Sequence, residues 1–413
     1  MGIVVTGLDI GTTKIACLVG ELDDQHRMRI IGVGIVPSKG IKKGVIVNVD
    51  EATEAIQRAV EKAERTSGQQ IREAYVGVAG SHISAVNSRG TVAINRPSHH
   101  IEPDDVRRAL EAARTIAIPH SQEVIHVVPR GYWLDGSNGV RNPVGLHGYR
   151  LEVEAHVVTA AATALQTYEK CCEGAGVAVR AFVLEPLASG EAVLHEDEKE
   201  LGVVLVDIGG GTTDISVFLE SSVWHTVSLP VGGHHLTHDL AVGLQCPLGV
   251  AEEIKKRFGY AAVRGVVDDS FIDISHFGDE PFRDVSRRDV AEILEHRVLD
   301  IFDLILREMK RSGYDGLLPA GLVFCGGSSQ LAGLKEAGRD FFSLPVRVAA
   351  PQGLSGLVDV LGNPAYATSV GLLEWGLHQD QIQGRMKRAP GGESASSQWV
   401  SRIREWLATL LPG

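Results

Sequence analysis

Two stretches, one near the start and one near the middle of the chain, are written in the same pattern: GLDIGTTKIACLVGE from Gly7 and LVDIGGGTTDISVFLE from Leu205. Each is an apolar run ending in aspartate, then a turn of glycine and threonine, then a second alternating run, which reads as a β-hairpin with a tight bend. A fold built of two related halves would repeat such an element. Gly11, Gly209, Gly210 and Gly211 let backbone N–H groups close on an anion with no Cβ in the way. The hydroxyls of Thr12, Thr13, Thr212 and Thr213 add neutral donors. Asp9 and Asp207 are acidic where phosphate is expected, which makes sense only if a divalent cation, Mg²⁺, lies between them and the phosphates, held through water. Lys14 either supplies one direct positive charge or points to solvent from its hairpin. For one hairpin alone a plain tight turn is an adequate reading; a third glycine turn at CGGSS, Cys325 to Ser329, weighs against it.

The 413 residues, 44% of them hydrophobic, suffice for two or three domains with real cores. A net charge of −12 argues against general nucleic-acid binding. Five cysteines without CxxC spacing, two of them adjacent at Cys171 and Cys172, fit a reducing cytosolic compartment. MGIVVTGLDIG lacks a basic leader, and no later run approaches the ~20 apolar residues that span a bilayer, so neither a secretion signal nor a transmembrane helix is expected.

Periodicity divides the chain. Residues 1–80 and 156–200 read as a first α/β core, with helices in VDEATEAIQRAVEKAERTSG and TALQTYEKCCEGAG, each stopped by glycine. Between them, residues 81–155 change to an inserted α+β subdomain. Residues 201–233 and 312–378 form the second core, with a last helix near Ala365 to Trp375, and 234–311 a smaller subdomain containing a long amphipathic helix from about Arg287 to Arg311. Residues 379–397 turn polar and read as a flexible linker.

Beyond that linker stands QWVSRIREWLATLL, residues 398–411. Plotted at roughly 100° per residue, Trp399, Val400, Ile403, Trp406, Leu407, Leu410 and Leu411 share an arc of about 140°, with Arg402 and Arg404 on its shoulders. From Gly384 onward five Arg/Lys stand against two Glu, a basic tail on an acidic body. A helix lying in the interface of an anionic bilayer would carry arginines in those places; a packed C-terminal helix is the plainer alternative.

The paired Asp/Gly/Thr hairpins and the strand with its GGSS turn resemble the actin, Hsp70 and sugar-kinase superfamily of ATP-binding proteins. GVAGSHISAVNSRGTVAI, IPHSQEVIHVVPRGYWLDG, RNPVGLHGYRLEVEAHVVT, CCEGAGVAVRAFVLEPLASGEAVL and GGHHLTHDLAVGL narrow the likeness to the bacterial FtsA family, over nearly the whole chain. The resemblance implies a two-lobed, actin-like α/β fold with an inserted α+β subdomain in its first half and a C-terminal amphipathic helix. It places ATP between Asp9, Gly11, Thr12, Thr13 and Lys14 on one side and Asp207, Gly209, Gly210, Gly211, Thr212 and Thr213 on the other, with nucleoside contacts from Gly232, Gly233, Glu252, Lys255, Gly326, Gly327 and Ser328. Glu185 falls where filament-forming relatives carry a water-orienting acid, although a glutamate before Pro186 is also favoured simply by a helix dipole. Glu252 and Lys255, spaced i,i+3, equally suit a solvated ion pair.

Arg287, Arg288 and Arg297 lie where the family receives the acidic C-terminal peptide of the tubulin-like protein FtsZ, unless they simply face solvent. The chain has EHR at Glu295 to Arg297 where the family commonly has EPR, which removes a possible kink. His234, His235 and His238 have ligand-like spacing, but no cysteine or glutamate completes a metal site. The family reading implies a peripheral protein on the cytoplasmic face of the bacterial membrane at the division septum. There it polymerises with ATP, anchors FtsZ filaments and recruits later division proteins, with at most weak ATPase activity. The rivals are a small-molecule kinase of the same superfamily, a chaperone, for whose peptide domain too few residues follow Trp375, and the pilus-assembly relative, against which the basic tail counts.

Overall fold

The computed structural model describes residues 4–22, 28–115, 118–267, 270–273 and 284–388. Its first lobe opens with the antiparallel meander β1 (Val4–Ile10), β2 (Lys14–Leu22) and β3 (Met28–Pro37). A short hairpin, β4 (Ile41–Lys42) and β5 (Val45–Ile46), leads to α1 (Val49–Ser67) and β6 (Glu73–Val78). β1 is apolar on both faces because both faces of its sheet are covered. On one face lies α1, started by Asn48, whose side chain accepts from the Glu51 N–H, and stopped by Gly68 at φ 67°. Its buried stripe is mostly alanine (Ala52, Ala55, Ala59, Ala63), which brings the helix backbone so close to β3 that a Cβ on Gly34 would lie 1.9 Å from the Ala59 carbonyl oxygen.

The inserted unit comprises β7 (Ile83–Ala93), α2 (Pro103–Arg114), β8 (Gln122–Leu134), β9 (Ser137–Val140) and β10 (Arg150–Ala161). Its antiparallel sheet runs β7-β10-β8-β9, and α2 packs through Val106, Ala109, Leu110 and Ala113 onto Leu151, Val153, Ala155 and Val157. β7 is one continuous strand whose eleven residues pair with β10 along its full length.

The chain returns through α3 (Ala162–Gly174), β11 (Ala178–Leu184), α4 (Glu185–Val193) and α5 (Glu196–Leu201). β11 and β6 are parallel additions that complete the first sheet in the order β11-β6-β1-β2-β3.

The second lobe repeats this design. β12 (Val203–Ile208), β13 (Thr213–Leu219) and β14 (Ser222–Leu229) form the meander. α6 (Gly233–Gly243), α7 (Leu248–Phe258), β15 (Phe271–Asp273), β16 (Asp284–Ser286) and α8 (Arg287–Ser312) form the smaller subdomain. β17 (Leu322–Cys325), α9 (Leu334–Phe342) and β18 (Val346–Val348) complete the sheet β14-β13-β12-β17-β18, with β17 parallel to β12. α8 starts on Ser286, whose hydroxyl accepts from the Arg288 and Asp289 N–H groups, and runs unbroken through His296. Val290, Leu294, Val298, Ile301, Phe302 and Ile305 are its buried stripe, and the Phe302 ring stacks 5.8 Å from Phe324 in the sheet. Truncating Phe302 would forfeit about 3–5 kcal/mol.

The last helix, α10 (Ala367–Arg388), lies against β1, β2 and β6 of the first lobe and against α4. A Cβ on Gly371 would fall 1.8 Å from the Ala188 carbonyl oxygen, so the two helices cross nearly backbone to backbone. α10 also corrects the linker expected over 379–397: residues 379–388 continue the helix. Their composition is polar, but Gln, Met, Lys and Arg are good helix formers and no proline intervenes before Pro390. The amphipathic segment 398–411, with Trp399, Val400, Arg402, Ile403, Arg404, Trp406, Leu407, Leu410 and Leu411, lies outside the described residues.

The insert also touches the second lobe. Arg130 of β8 stacks 4.1 Å over the Trp224 ring and donates to the Tyr314 hydroxyl at 2.7 Å. His156 of β10 bonds Asn87 within the insert at 2.7 Å and Thr226 of β14 at 2.9 Å.

Candidate nucleotide site

The two hairpin turns are built alike. Gly11 N–H donates to the Lys14 carbonyl at 3.0 Å, and Gly209 N–H donates to the Thr212 carbonyl at 2.9 Å. The fold sets them tip to tip across the gap between the lobes: a Cβ on Gly210 would come within 2.3 Å of Thr13 Cγ2, and one on Gly211 within 2.6 Å of Thr12 Oγ1. Only residues without side chains fit at that contact.

Two buried carboxylates stand behind the turns. Asp9 accepts Lys14 Nζ at 3.1 Å and Ser369 Oγ at 2.5 Å. Asp207 accepts Ser189 Oγ at 2.7 Å and Thr368 Oγ1 at 3.1 Å. The adjacent hydroxyls of Thr368 and Ser369, in the first turn of α10, thus hold one carboxylate from each lobe. Lys14 points inward to Asp9 and not to solvent; burial lowers its pKa, but the fields of Asp9, Asp207 and Glu185 more than offset this and the net shift is upward. Burial raises the Asp207 pKa despite its hydroxyl donors.

Glu185 is the first residue of α4, and burial together with Asp9, Asp214 and Asp207 pushes its carboxyl well above the usual range. A helix-start position and a place among the acidic groups therefore coincide. Asp214 was not singled out from the sequence, though it closes the DIGGGTTD motif and pairs across the hairpin with Asp207. It is buried, Oδ1 has no hydrogen-bond partner among the described residues, and burial pushes its pKa up to about 7.

The third turn closes the site from the second lobe. Gly326 has φ 84° and ψ 164°, a conformation open essentially to glycine, and a Cβ there would lie 2.3 Å from Asp207 Oδ1. Ser328 Oγ donates to the Gly209 carbonyl at 2.8 Å, and Gly327 lies beside it in the same turn. Gly233 and His234 N–H groups donate to the Gly209 and Gly210 carbonyls at 2.9 and 2.8 Å, joining the start of α6 and Gly232 before it to the same hairpin. Lys255 Nζ contacts the Gly233 carbonyl at 3.1 Å, Thr237 Oγ1 at 2.8 Å and Glu252 at 2.7 Å. The Glu252–Lys255 pair is thus built into the Gly232–Gly233 turn.

These residues fit a nucleotide with a hydrated divalent ion. The glycine turns leave room only for backbone, an acidic oxygen is left unpartnered, and no group of three or more His, Cys, Asp or Glu among the described residues forms a cage that would bind a metal directly. That donor set suits an ion coordinated chiefly by water and phosphate. The three histidines do not converge: His235 Nδ1 accepts from Gly232 N–H at 3.2 Å, and His238 approaches Asp239 at 3.9 Å.

Arg287, Arg288 and Arg297 are not brought together. Arg297 stands nine and ten residues further along α8, about 14 Å at 1.5 Å per residue. It is engaged with Asp239 of α6, Nε at 2.6 Å and Nη2 at 3.2 Å, and with Asp300 at 3.3 Å. A surface cavity of about 230 Å³ at the starts of β1 and β6, lined by Gln70, Arg72 and Tyr75 among others, includes none of these site residues.

Two related lobes, each presenting an Asp-Gly-Thr hairpin to the other, define an actin-like protein. Solved structures with this fold include the PilM–PilN type IV pilus biogenesis complex (TM-score 0.65, 16% identity, 90% of this chain and 98% of that one). MreB5 of Spiroplasma citri bound to ADP is another (TM-score 0.57, 13% identity, 94% and 99%). Sequence comparison is more specific. A family model described as "Cell division protein FtsA" matches residues 204–371, and one described as "SHS2 domain inserted in FTSA" matches residues 80–159. Cell division protein FtsA of Pseudomonas aeruginosa is 44% identical over 411 residues, 98% of both chains. FtsA of Bacillus subtilis is 37% identical over 378 residues, 92% of this chain and 84% of that protein, and FtsA of Escherichia coli 34% over 410 residues, 98% and 97%. The chain belongs to the FtsA family of cell-division proteins.

Proposed function

We propose that this chain binds ATP with Mg²⁺ between its lobes, polymerises on the cytoplasmic face of the bacterial membrane at the division site, anchors FtsZ filaments there and recruits later division proteins. The observation that carries the nucleotide part is the interlocked pair of glycine hairpins with Asp9 and Asp207 buried behind them. Asp9 and Asp207 would hold the hydrated cation, and the backbone N–H groups and threonine hydroxyls of both turns would bind phosphate. Gly232, Gly233, Glu252, Lys255 and Gly326 to Ser328 would receive the nucleoside. Mg²⁺, when bound, neutralises phosphate charge that the acidic groups of the site would otherwise repel. Glu185, at the start of α4 among Asp9, Asp207 and Asp214, is the candidate for orienting water in slow hydrolysis. The likeness to an MreB bound to ADP supports the nucleotide reading, and membership of the FtsA family supports the division role.

The membrane part rests on the basic amphipathic segment 398–411, one copy of which binds weakly and many copies on one filament bind with avidity. Arg287 and Arg288 at the start of α8 are the cationic contacts for the acidic FtsZ tail, and Arg297 joins them only by leaving Asp239. The test is vesicle co-sedimentation with ATP, with and without FtsZ, of the full chain and of a chain ending at Arg388, where α10 ends. The full chain should carry FtsZ into the pellet and the shortened one should not. Equal pelleting of both sinks the anchoring model, whereas failure of a fluorescent ATP analogue to bind either form sinks the nucleotide part.

A further inference from the structure

The hairpin of β4 and β5 carries a residue that its backbone does not favour. Lys42 pairs with Val45, so the connection is the two residues Lys43 and Gly44, with φ of 50° and 70°. Positive φ at both central positions marks a type I′ turn, which favours Asn-Gly, Asp-Gly or Gly-Gly. Lysine at its first position is a local cost with no local return. The turn is held in place with care: the buried Tyr168 hydroxyl donates to the Gly44 carbonyl at 2.9 Å, and Gly44 N–H donates to Thr12 Oγ1 of the first hairpin at 3.3 Å. Lys43 Cα would lie 3.0 Å from a Cβ on Gly211, so the turn rests on the second hairpin as well. It therefore bridges both anion-binding turns and both lobes.

The charge of the site asks for a further cation at this place. Asp9, Asp207 and Glu185 act on one lysine, Lys14, which is already paired with Asp9 at 3.1 Å. Lys43 is exposed and has no side-chain hydrogen-bond or ion-pair partner among the described residues, while its Cα stands beside Gly211. Its charge reaches across the lobes to His235, whose pKa is lowered first by burial and next by Lys43. The direction along the site follows from the second hairpin. Gly209 bonds the nucleoside-side groups, Ser328 Oγ and the Gly233 N–H, while Gly211, two residues on, meets Thr12 and Lys43. A phosphate chain laid from Gly209 toward Gly211 ends beside Lys43.

Building on the nucleotide reading above, we propose that Lys43 is a terminal-phosphate contact by which this chain distinguishes a nucleoside triphosphate from a diphosphate. The turn then trades fold stability for a charge at the one spot where only the longer phosphate chain arrives. Lys43→Asn separates the two effects, because asparagine suits a type I′ turn and removes the cation. The experiment measures the affinities of Mg-ATP and Mg-ADP by displacement of a fluorescent nucleotide, and the thermal midpoint without nucleotide, for the full-length wild type, Lys43→Asn, Lys43→Arg and the neighbouring control Lys42→Asn. Lys43→Asn should lose about tenfold for ATP and under twofold for ADP while its nucleotide-free midpoint rises or holds; Lys43→Arg should stay within about threefold for both, and Lys42→Asn should match wild type. An unchanged ATP-to-ADP ratio in Lys43→Asn, or an equal loss in Lys42→Asn, overturns the assignment and leaves the nucleotide reading standing. A wild type that binds neither nucleotide overturns both.

Discussion

Gly326→Ala is the sharpest single test of how the second-lobe turn is made. Gly326 combines φ 84° with ψ 164°, and an added Cβ would meet Asp207 Oδ1 at 2.3 Å and the Ile208 carbonyl oxygen at 2.6 Å. The backbone term alone is about 1–3 kcal/mol for a residue forced into that region. Neither neighbour can yield cheaply: Ile208 O belongs to the last residue of β12, and the Asp207 carboxylate is fixed by Ser189 and Thr368. Overpacking of this kind adds about 1–3 kcal/mol. The sum, about 2–6 kcal/mol, is a large part of the 5–15 kcal/mol of a typical domain. Gly327→Ala is the matched control, since its Cβ would find only Ala365 Cβ at an ordinary 3.8 Å. Equilibrium denaturation followed by circular dichroism should show the first variant destabilised and the second within about 0.5 kcal/mol of wild type. Nucleotide affinity should also fall in Gly326→Ala, because the displaced side chain is Asp207. A destabilisation within 1 kcal/mol of the Gly327→Ala control would falsify the steric argument.

The Arg297–Asp239 contact is bidentate but partly exposed, so a double-mutant cycle with Arg297→Ala and Asp239→Ala should return a coupling of about 1 kcal/mol; a value near zero removes the contact as a link between α6 and α8. Burial holds His126 at about 4 and, together with His225, Arg130 and His126, holds His156 at about 3. Depressed folded-state values mean that their contribution is complete above the ordinary histidine range and is lost as pH falls from about 6.5 toward 3, so His156→Gln should flatten the acid limb of a stability-versus-pH curve. An unchanged slope would show that His156 is not what senses acid. Glu374 has the opposite sign: burial, with Glu191 nearby, raises it to about 8, so the folded chain keeps a proton that the unfolded chain releases above pH ~4.3, and stability declines from there to about 8. Glu374→Gln should therefore gain on wild type at pH 8 relative to pH 4 in urea melts, and an equal difference at both pH values would contradict this.

What the sequence discloses about the site is what lies close together along the chain. Both hairpins are legible because the turn glycines, the threonines and the aspartate before them fall within a few residues, and their chemistry is local. The i,i+3 spacing of Glu252 and Lys255 suffices to place them on one face, although their seat against Gly233 and Thr237 depends on α6. Ser369 and Asp9 are 360 positions apart, and nothing in ATSVGLLEW marks its hydroxyls as partners of carboxylates. Ser189 was nearer to being found, since it lies four residues after Glu185 and shares its helix face. Asp214 lies inside the DIGGGTTD motif, but its role depends on burial and on its pairing across the hairpin with Asp207, which the motif alone does not show. The extension of α10 is not legible in polar composition, which suits a linker equally; the helix propensity of the same residues is the better guide. Arg287, Arg288 and Arg297 looked like one cluster in a line of text, whereas helix rise and an internal partner on α6 separate the third from the other two.

Thr368 and Ser369 are consecutive, so their Cα atoms are fixed 3.8 Å apart, and each reaches only as far as a short hydroxyl side chain allows. Asp9 and Asp207, which belong to different lobes, are each bonded to one of them. The start of α10 therefore acts as a gauge block: it sets the spacing of the two carboxylates to within about a hydrogen-bond length, whatever the lobes do elsewhere. The opposite end of the same helix is the last described point before the basic tail. Its 22 residues, about 33 Å of helix, thus put the gauge at one end and the approach to segment 398–411 at the other.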